Sequence, residues 1–106
     1  MVVKTKNEAA SVLSGVSGDK KFFSVDGCTY SNLGDMAGCL EHMNAGSFAY
    51  HVTSANNDFS NWVRDVLRDD KLAADLMKAA NAADAARIVR YRIQWLQSKA
   101  HSRQQA

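Results

Sequence analysis

Apolar residues recur at helical spacing through most of the chain after residue 31. The clearest stripe predicts a helix over residues 58–67 with one buried face. Its members are Phe59, Trp62, Val63, Val66 and Leu67. The same periodicity predicts helices over residues 32–44 and 70–80, and a last helix from Asn81 to about Lys99. The chain contains no proline, so the helix boundaries must come from capping residues and glycines.

The segment before residue 31 has the pattern of a β-hairpin. Asp26-Gly27 suits a tight turn with positive φ and is flanked by aromatic and β-branched residues, so strands are expected near residues 21–25 and 28–30. A lone two-stranded hairpin is marginal in water, which means that it must pack on helices. The sequence therefore predicts a mostly helical α+β fold with one short β-hairpin packed on four to five helices.

The length of 106 residues is typical of a single domain. Residues 1–20 include a connector with two glycines and are expected to be a flexible N-terminal arm, although Thr5 to Glu8 has the spacing of a capping box that would start a short helix. Residues 21–100 are expected to form the compact domain, and residues 101–106 a frayed C-terminal tail. Neither a membrane-spanning segment nor a signal peptide is apparent, so we expect a cytoplasmic protein without membrane contact.

The two cysteines, Cys28 and Cys39, are expected to be free thiols. A reducing cytosol and a chain large enough to form a core both argue against a disulfide. With His42 and His51 they would make a Cys2His2 set, but the spacings match no zinc ribbon or finger. We therefore expect no metal and no other cofactor.

The polar stretch from residue 51 to residue 58 has two interpretations. Asn57 and Asp58 could supply the acceptors that a helix N-terminus needs, with His51 hydrogen-bonded to the same corner. Alternatively, His51 and Asp58 could be a general base and its orienting group, with Ser54 or Ser60 nearby. Capping accounts for every polar residue without a substrate, so we expect a structural helix-cap cluster of His51, Asn57 and Asp58, and no catalytic site.

The last helix has two apolar faces. One consists of Ala85, Val89, Ile93, Leu96 and Ala100, and the other consists of Ile88, Tyr91 and Trp95 about 130° away. Such a helix needs two neighbours: either it is wedged inside the domain, or its second face binds a partner, since Trp, Tyr and Arg are enriched at interface hot spots. The interface candidates are Ile88, Tyr91, Arg92, Trp95 and Lys99.

Charge is distributed unevenly along the chain. Residues 22–84 hold nine acidic against four basic residues, whereas residues 85–106 hold five basic and no acidic residues. A basic segment of this kind pairs with the acidic body or with an acidic partner. These features favour a non-enzymatic protein–protein interaction or regulatory module that binds a protein partner or forms a homo-oligomer. The alternative is nucleic-acid binding, with the basic residues on phosphates and Tyr91 and Trp95 stacked on bases.

A motif of the form H…NDFxxWVRDVL occurs between His51 and Leu67. It follows a strand-like Phe23 with Asp26-Gly27 and a helix of the "NL..LA..L..M" type from Asn32 to Met43. Over roughly residues 22–80 the chain resembles a family of small prokaryotic domains of unknown function. Arg68 stands where that family has glycine, at the tight turn after the helix. The resemblance implies a compact module and carries no established reaction, ligand or partner.

Overall fold

The computed structural model describes residues 1–101, and in that range it contains six α-helices and one antiparallel β-hairpin. The helices are α1 (Lys6–Ser14), α2 (Leu33–Glu41), α3 (Ala45–His51), α4 (Asp58–Trp62), α5 (Asp70–Leu76) and α6 (Ala82–Ala100). The strands are β1 (Phe22–Phe23) and β2 (Thr29–Tyr30). The mostly helical α+β class predicted from the sequence is confirmed, with six helices instead of four to five.

The first twenty residues belong to the folded body. Helix α1 packs against α6, and its Ala9 and Val12 are fully buried. The Thr5 hydroxyl accepts a hydrogen bond from the Glu8 N–H, and the Glu8 carboxylate accepts one from the Thr5 N–H, which is the capping box that the spacing predicts. The expectation of a flexible arm is therefore corrected, because α1 has an apolar face to bury. Of the expected frayed tail, only His101 falls within the described residues.

An aromatic cluster holds the hairpin against the helices. Phe22 pairs with Tyr30 across the two strands, and their rings stack with centroids 5.0 Å apart. Phe22 also contacts the rings of Phe59 and Trp62 on α4. Gly27 supplies the positive φ of 91° that the tight turn needs. This packing explains how two strands of two residues each remain ordered.

Helix α6 is the central element, since α1, α2 and α5 all pack against it. Its buried side is the first of the two predicted apolar faces, with Ala85, Val89 and Leu96 almost inaccessible. An Asn or Asp side chain caps the N-terminus of every helix from α2 to α6, accepting the backbone N–H three residues on. Within residues 1–101, no helix combines the length and apolarity needed to cross a bilayer.

The predicted helix over residues 58–67 forms as α4 continued by one π-helical turn, Val63–Leu67. The turn ends at Arg68, which has φ 71° and ψ 28° and is the only non-glycine residue with positive φ in the described part of the chain. The left-handed conformation costs a non-glycine residue roughly 1–2 kcal/mol. Arg68 therefore adopts a backbone conformation that glycine would reach without that cost.

Cys28 and Cys39 form a disulfide, so the expectation of free thiols is wrong. Their Cα atoms are 6.4 Å apart, within the usual range for a disulfide. The argument from compartment and chain size could not foresee this, because the chain reverses at the hairpin and brings β2 beside α2. The bond fastens the start of the hairpin's second strand to the body of α2.

Reduction of the disulfide should lower the free energy of unfolding by roughly 3 kcal/mol, because the bond closes a loop with a sequence separation of 11. Urea unfolding with and without reductant measures this, and the C28S/C39S double variant should match the reduced protein. A thiol assay on the unreduced, denatured protein should find no free thiol. An unchanged midpoint after reduction would contradict the stabilising role.

Candidate functional site

An open groove lies between α5 and α6, which are joined by the short connection of residues 77–81. It encloses about 400 Å³. Its walls carry apolar and charged side chains from both helices and from the connection between them: Lys71, Asp75, Lys78, Asp84, Arg87, Ile88, Tyr91, Arg92 and Trp95. The volume falls within the range of about 300–1,000 Å³ that ligand pockets occupy.

The second apolar face of α6 lies in this groove and outside the core. Tyr91 is 75% exposed and Trp95 is 41% exposed, while Ile88 is half-buried. Four of the five interface candidates named from the sequence therefore line one concave surface, and Lys99 follows Trp95 one helical turn later. One apolar face of α6 is therefore covered by the core, and the other faces the open groove and has no neighbour within the described residues.

A buried ion pair forms one side of the groove. The Arg92 guanidinium donates two hydrogen bonds to the Asp69 carboxylate, at 2.8 and 3.0 Å. Asp69 is fully inaccessible and also caps α5 by accepting the N–H of Leu72 at 3.2 Å. On its other side, Arg92 lies over the Trp95 ring, with Cζ 4.3 Å from the ring centroid. The sequence predicts Arg92 as a contact residue, but its side chain is only 11% exposed and mainly positions Trp95.

The remaining acids of the groove are paired with its cations. These pairs are Lys71–Asp75 and Arg87–Asp84. Asp70, next to Lys71, contacts the amino group of Met1. Within residues 1–101, Lys78 and Lys99 take part in no ion pair. The charges that the groove can offer to another molecule are therefore positive.

The arginines of α6 do not form a continuous phosphate-binding surface. Arg87 pairs with Asp84, Arg92 pairs with Asp69, and Arg90 donates two hydrogen bonds to Glu41 of α2 on another side of the helix. The basic C-terminal segment is thus largely neutralised by the acidic body. One face of the Trp95 ring is also covered by Arg92, which leaves less aromatic surface for a base to stack on.

His51 links three elements from a buried position. Its Nδ1 lies 3.0 Å from the Asp58 carboxylate at the start of α4, and its Nε2 accepts the Val25 N–H from the hairpin turn at 3.0 Å. Because Nε2 is an acceptor, these hydrogen bonds assign the ring proton to Nδ1, which donates to Asp58. His51 therefore connects the end of α3 to both the hairpin and α4.

Asn57 is the N-cap of α4, as its side-chain oxygen accepts the Ser60 N–H at 3.0 Å. Its amide nitrogen donates to the Leu76 carbonyl at the end of α5, at 3.1 Å. The cluster of His51, Asn57 and Asp58 thus supplies hydrogen-bond partners to backbone groups at the start of α4, at the end of α5 and in the hairpin turn. Every polar group of the three side chains that the structure brings together has a structural partner.

Sequence reasoning did not identify Ser24, whose hydroxyl lies 3.5 Å from the His51 Nε2. Ser24, His51 and Asp58 have the order of a serine–histidine–carboxylate triad. The Val25 N–H already occupies the Nε2 lone pair, however, and both Ser24 and His51 are more than nine-tenths buried. This arrangement lacks the free base and the access that catalysis requires. Only the folded hairpin brings Ser24 to the ring, so no spacing signal could have found it.

The phenol of Tyr30 lies in the same buried region. Burial raises the pKa of Tyr30 to about 12; the negative charge of Asp26 acts in the same direction, and the neighbouring Ser24 hydroxyl opposes it. That hydroxyl lies close enough to affect the pKa but outside hydrogen-bond geometry, and the Tyr30 oxygen has no partner among the described residues. Tyr30 thus remains protonated at neutral pH and is part of the core.

The four soft ligands considered from the sequence do not come together as a metal site. The thiols of Cys28 and Cys39 are joined to each other, and His51 is bonded through both ring nitrogens. Across residues 1–101, no group of three or more His, Cys, Asp or Glu side chains is arranged to hold an ion.

Replacing His51 by alanine should destabilise the fold, because the Val25 N–H is left without its acceptor inside the protein. The expected loss is about 1–3 kcal/mol in the free energy of unfolding, measured by urea denaturation. His42→Ala is the matched control, since His42 is exposed on α2's C-terminal side and should change little. Wild-type stability of the His51→Ala variant would contradict the structural role.

Asp69→Asn retains a capping oxygen but leaves the Arg92 charge mostly buried without a counter-charge. Breaking such a pair costs about 3–5 kcal/mol. The double variant Asp69→Asn/Arg92→Met should regain most of that loss, because no unpaired charge remains. Arg64→Ala, which removes an exposed pair with Asp65, should have little effect. Equal effects of Asp69→Asn and Arg64→Ala would show that the buried pair is unimportant.

Comparison with known proteins leaves the assignment of function to the geometry described above. No protein-family model matches the chain, and no similar curated protein or solved structure is found.

Proposed function

We propose that this chain is a non-catalytic protein-binding module and that its docking surface is the groove between α5 and α6. The partner is a different protein, which inserts a hydrophobic segment along Ile88, Tyr91 and Trp95. The observation that carries the proposal is the exposure of this apolar stripe, which lines a cavity of about 400 Å³ on a helix otherwise held by the core.

The groove has the composition of an interface hot spot. Trp, Tyr and Arg carry most of the binding energy at protein interfaces, and this surface places Tyr91, Arg92 and Trp95 within two helical turns. Arg92 is held by Asp69 and stacks on Trp95, so the indole is ordered before a partner arrives. Ordering the groove in advance lowers the conformational entropy that binding would otherwise cost.

The buried cluster around His51 supports a binding role over a catalytic one. Its polar atoms are used to join the hairpin to α3 and α4. A second copy of the chain and a nucleic acid are the competing occupants of the groove; light scattering tests for the first, and binding of a labelled oligothymidylate tests for the second.

A displayed library of random peptides, selected on wild-type protein and counter-selected on Tyr91→Ala/Trp95→Ala, should yield binders that lose at least about tenfold in affinity for the variant. The variant should remain folded by circular dichroism, because Tyr91 is mostly exposed and Trp95 is partly so. The pair Val2→Ala/Phe23→Ala is the control, since it removes exposed apolar side chains outside the groove.

Light scattering on the same proteins should find a monomer at micromolar concentration. A dimer that the Trp95→Ala substitution dissociates would identify a second copy as the occupant and overturn the proposal. Selected peptides that bind wild type and the groove variant equally would also overturn it.

A further inference from the structure

We infer that the segment bound by the groove is an acidic amphipathic helix of the partner. The inference rests on the proposed function and adds the chemistry of the partner to it. It is carried by the way in which charge is distributed along the groove, combined with the helical spacing of the apolar stripe.

Every acidic side chain in or beside the groove is paired with a cation, and some cations are left over. Asp75 and Asp84 are engaged by Lys71 and Arg87, and the buried Asp69 is engaged by Arg92. Lys78 lies at the end of the groove nearer the start of α6, and Lys99 follows Trp95 towards the other end of the helix. Neither lysine forms an ion pair within residues 1–101, so Lys78 in the groove and the half-buried Lys99, one helical turn beyond it, are the positive charges left for a partner.

The apolar surface of the groove, formed by Ile88, Tyr91 and Trp95, fits a bound helix better than a bound extended chain. Ile88, Tyr91, Arg92 and Trp95 occupy positions i, i+3, i+4 and i+7 of α6, next to the wall that α5 provides. Two neighbouring helices present a groove into which a third helix places its own i, i+3, i+4 and i+7 anchors. Carboxylates beside those anchors would reach Lys78 and Lys99 and would also steer the approach of the partner.

A nucleic acid fits the same cations less well. The paired carboxylates of Asp75 and Asp84 line the groove where a phosphate backbone would pass. One face of the Trp95 ring is covered by the guanidinium of Arg92, which limits stacking. A helix needs neither a free ring face nor a continuous run of cations, so the structure favours the peptide.

The test uses three fluorescent helical peptides with identical Leu and Trp anchors whose flanking positions are all Glu, all Gln or all Lys, with anisotropy as the readout. At low salt the Glu peptide should bind at least about tenfold more tightly than the Lys peptide, and added salt should reduce the difference. Lys78→Glu/Lys99→Glu should reverse the order. Lys6→Glu/Lys20→Glu changes the net charge equally at exposed sites outside the groove and should leave the order unchanged.

Each other outcome overturns the inference in a recognisable way. Equal binding of the three peptides, abolished by Trp95→Ala, would leave the protein-binding groove in place and remove its preference for acidic partners. Binding that Trp95→Ala does not affect, or no binding of any peptide, would count against both the inference and the proposed function. Tighter, Trp95-dependent binding of a labelled oligothymidylate would assign the groove to nucleic acid instead.

Discussion

The ion pair between Asp69 and Arg92 is the interaction on which the candidate site depends. One carboxylate caps α5 through the Leu72 N–H and also receives both hydrogen bonds of the guanidinium from α6. Because Asp69 is fully buried, neither charge can relax towards water without moving a helix. The pair therefore fixes the two walls of the groove relative to each other, and the guanidinium in turn orders the indole of Trp95.

The polar side chains before α4 serve the fold and take no part in the candidate site. The His51 ring and the Asn57 amide satisfy backbone groups that the hairpin turn and the helix ends would otherwise leave unpaired, and the Asp58 carboxylate holds the His51 ring in place. A buried polar group without a partner is costly, so a small domain with many short helices needs such side chains for structural reasons alone. The resemblance of Ser24, His51 and Asp58 to a catalytic triad follows from this requirement. The cluster differs from a triad because the His51 Nε2 already accepts the Val25 N–H.

Much of the fold could be predicted because the information is local. The stripe from Phe59 to Leu67, the turn at Asp26-Gly27 and the capping box at Thr5 each depend on neighbours in sequence. The second apolar face of α6 also follows from local periodicity, so the sequence alone predicts that Tyr91 and Trp95 share one side of the helix. Contacts between distant residues carry no such signal. Asp69 with Arg92, Ser24 with His51, and Cys28 with Cys39 form only after the chain has folded back on itself.

The backbone conformation of Arg68 sets the position of the buried Asp69 carboxylate, which follows it in the chain. Its left-handed backbone turns the chain out of the π-helical segment, and the next N–H, that of Asp69, bonds to the Val63 carbonyl at 3.2 Å. The strained backbone at Arg68 thus directs the Asp69 carboxylate towards Arg92 on α6. A glycine at position 68 would adopt this left-handed conformation without a Cβ penalty, so the strain at this turn is separable from the side chains that line the groove.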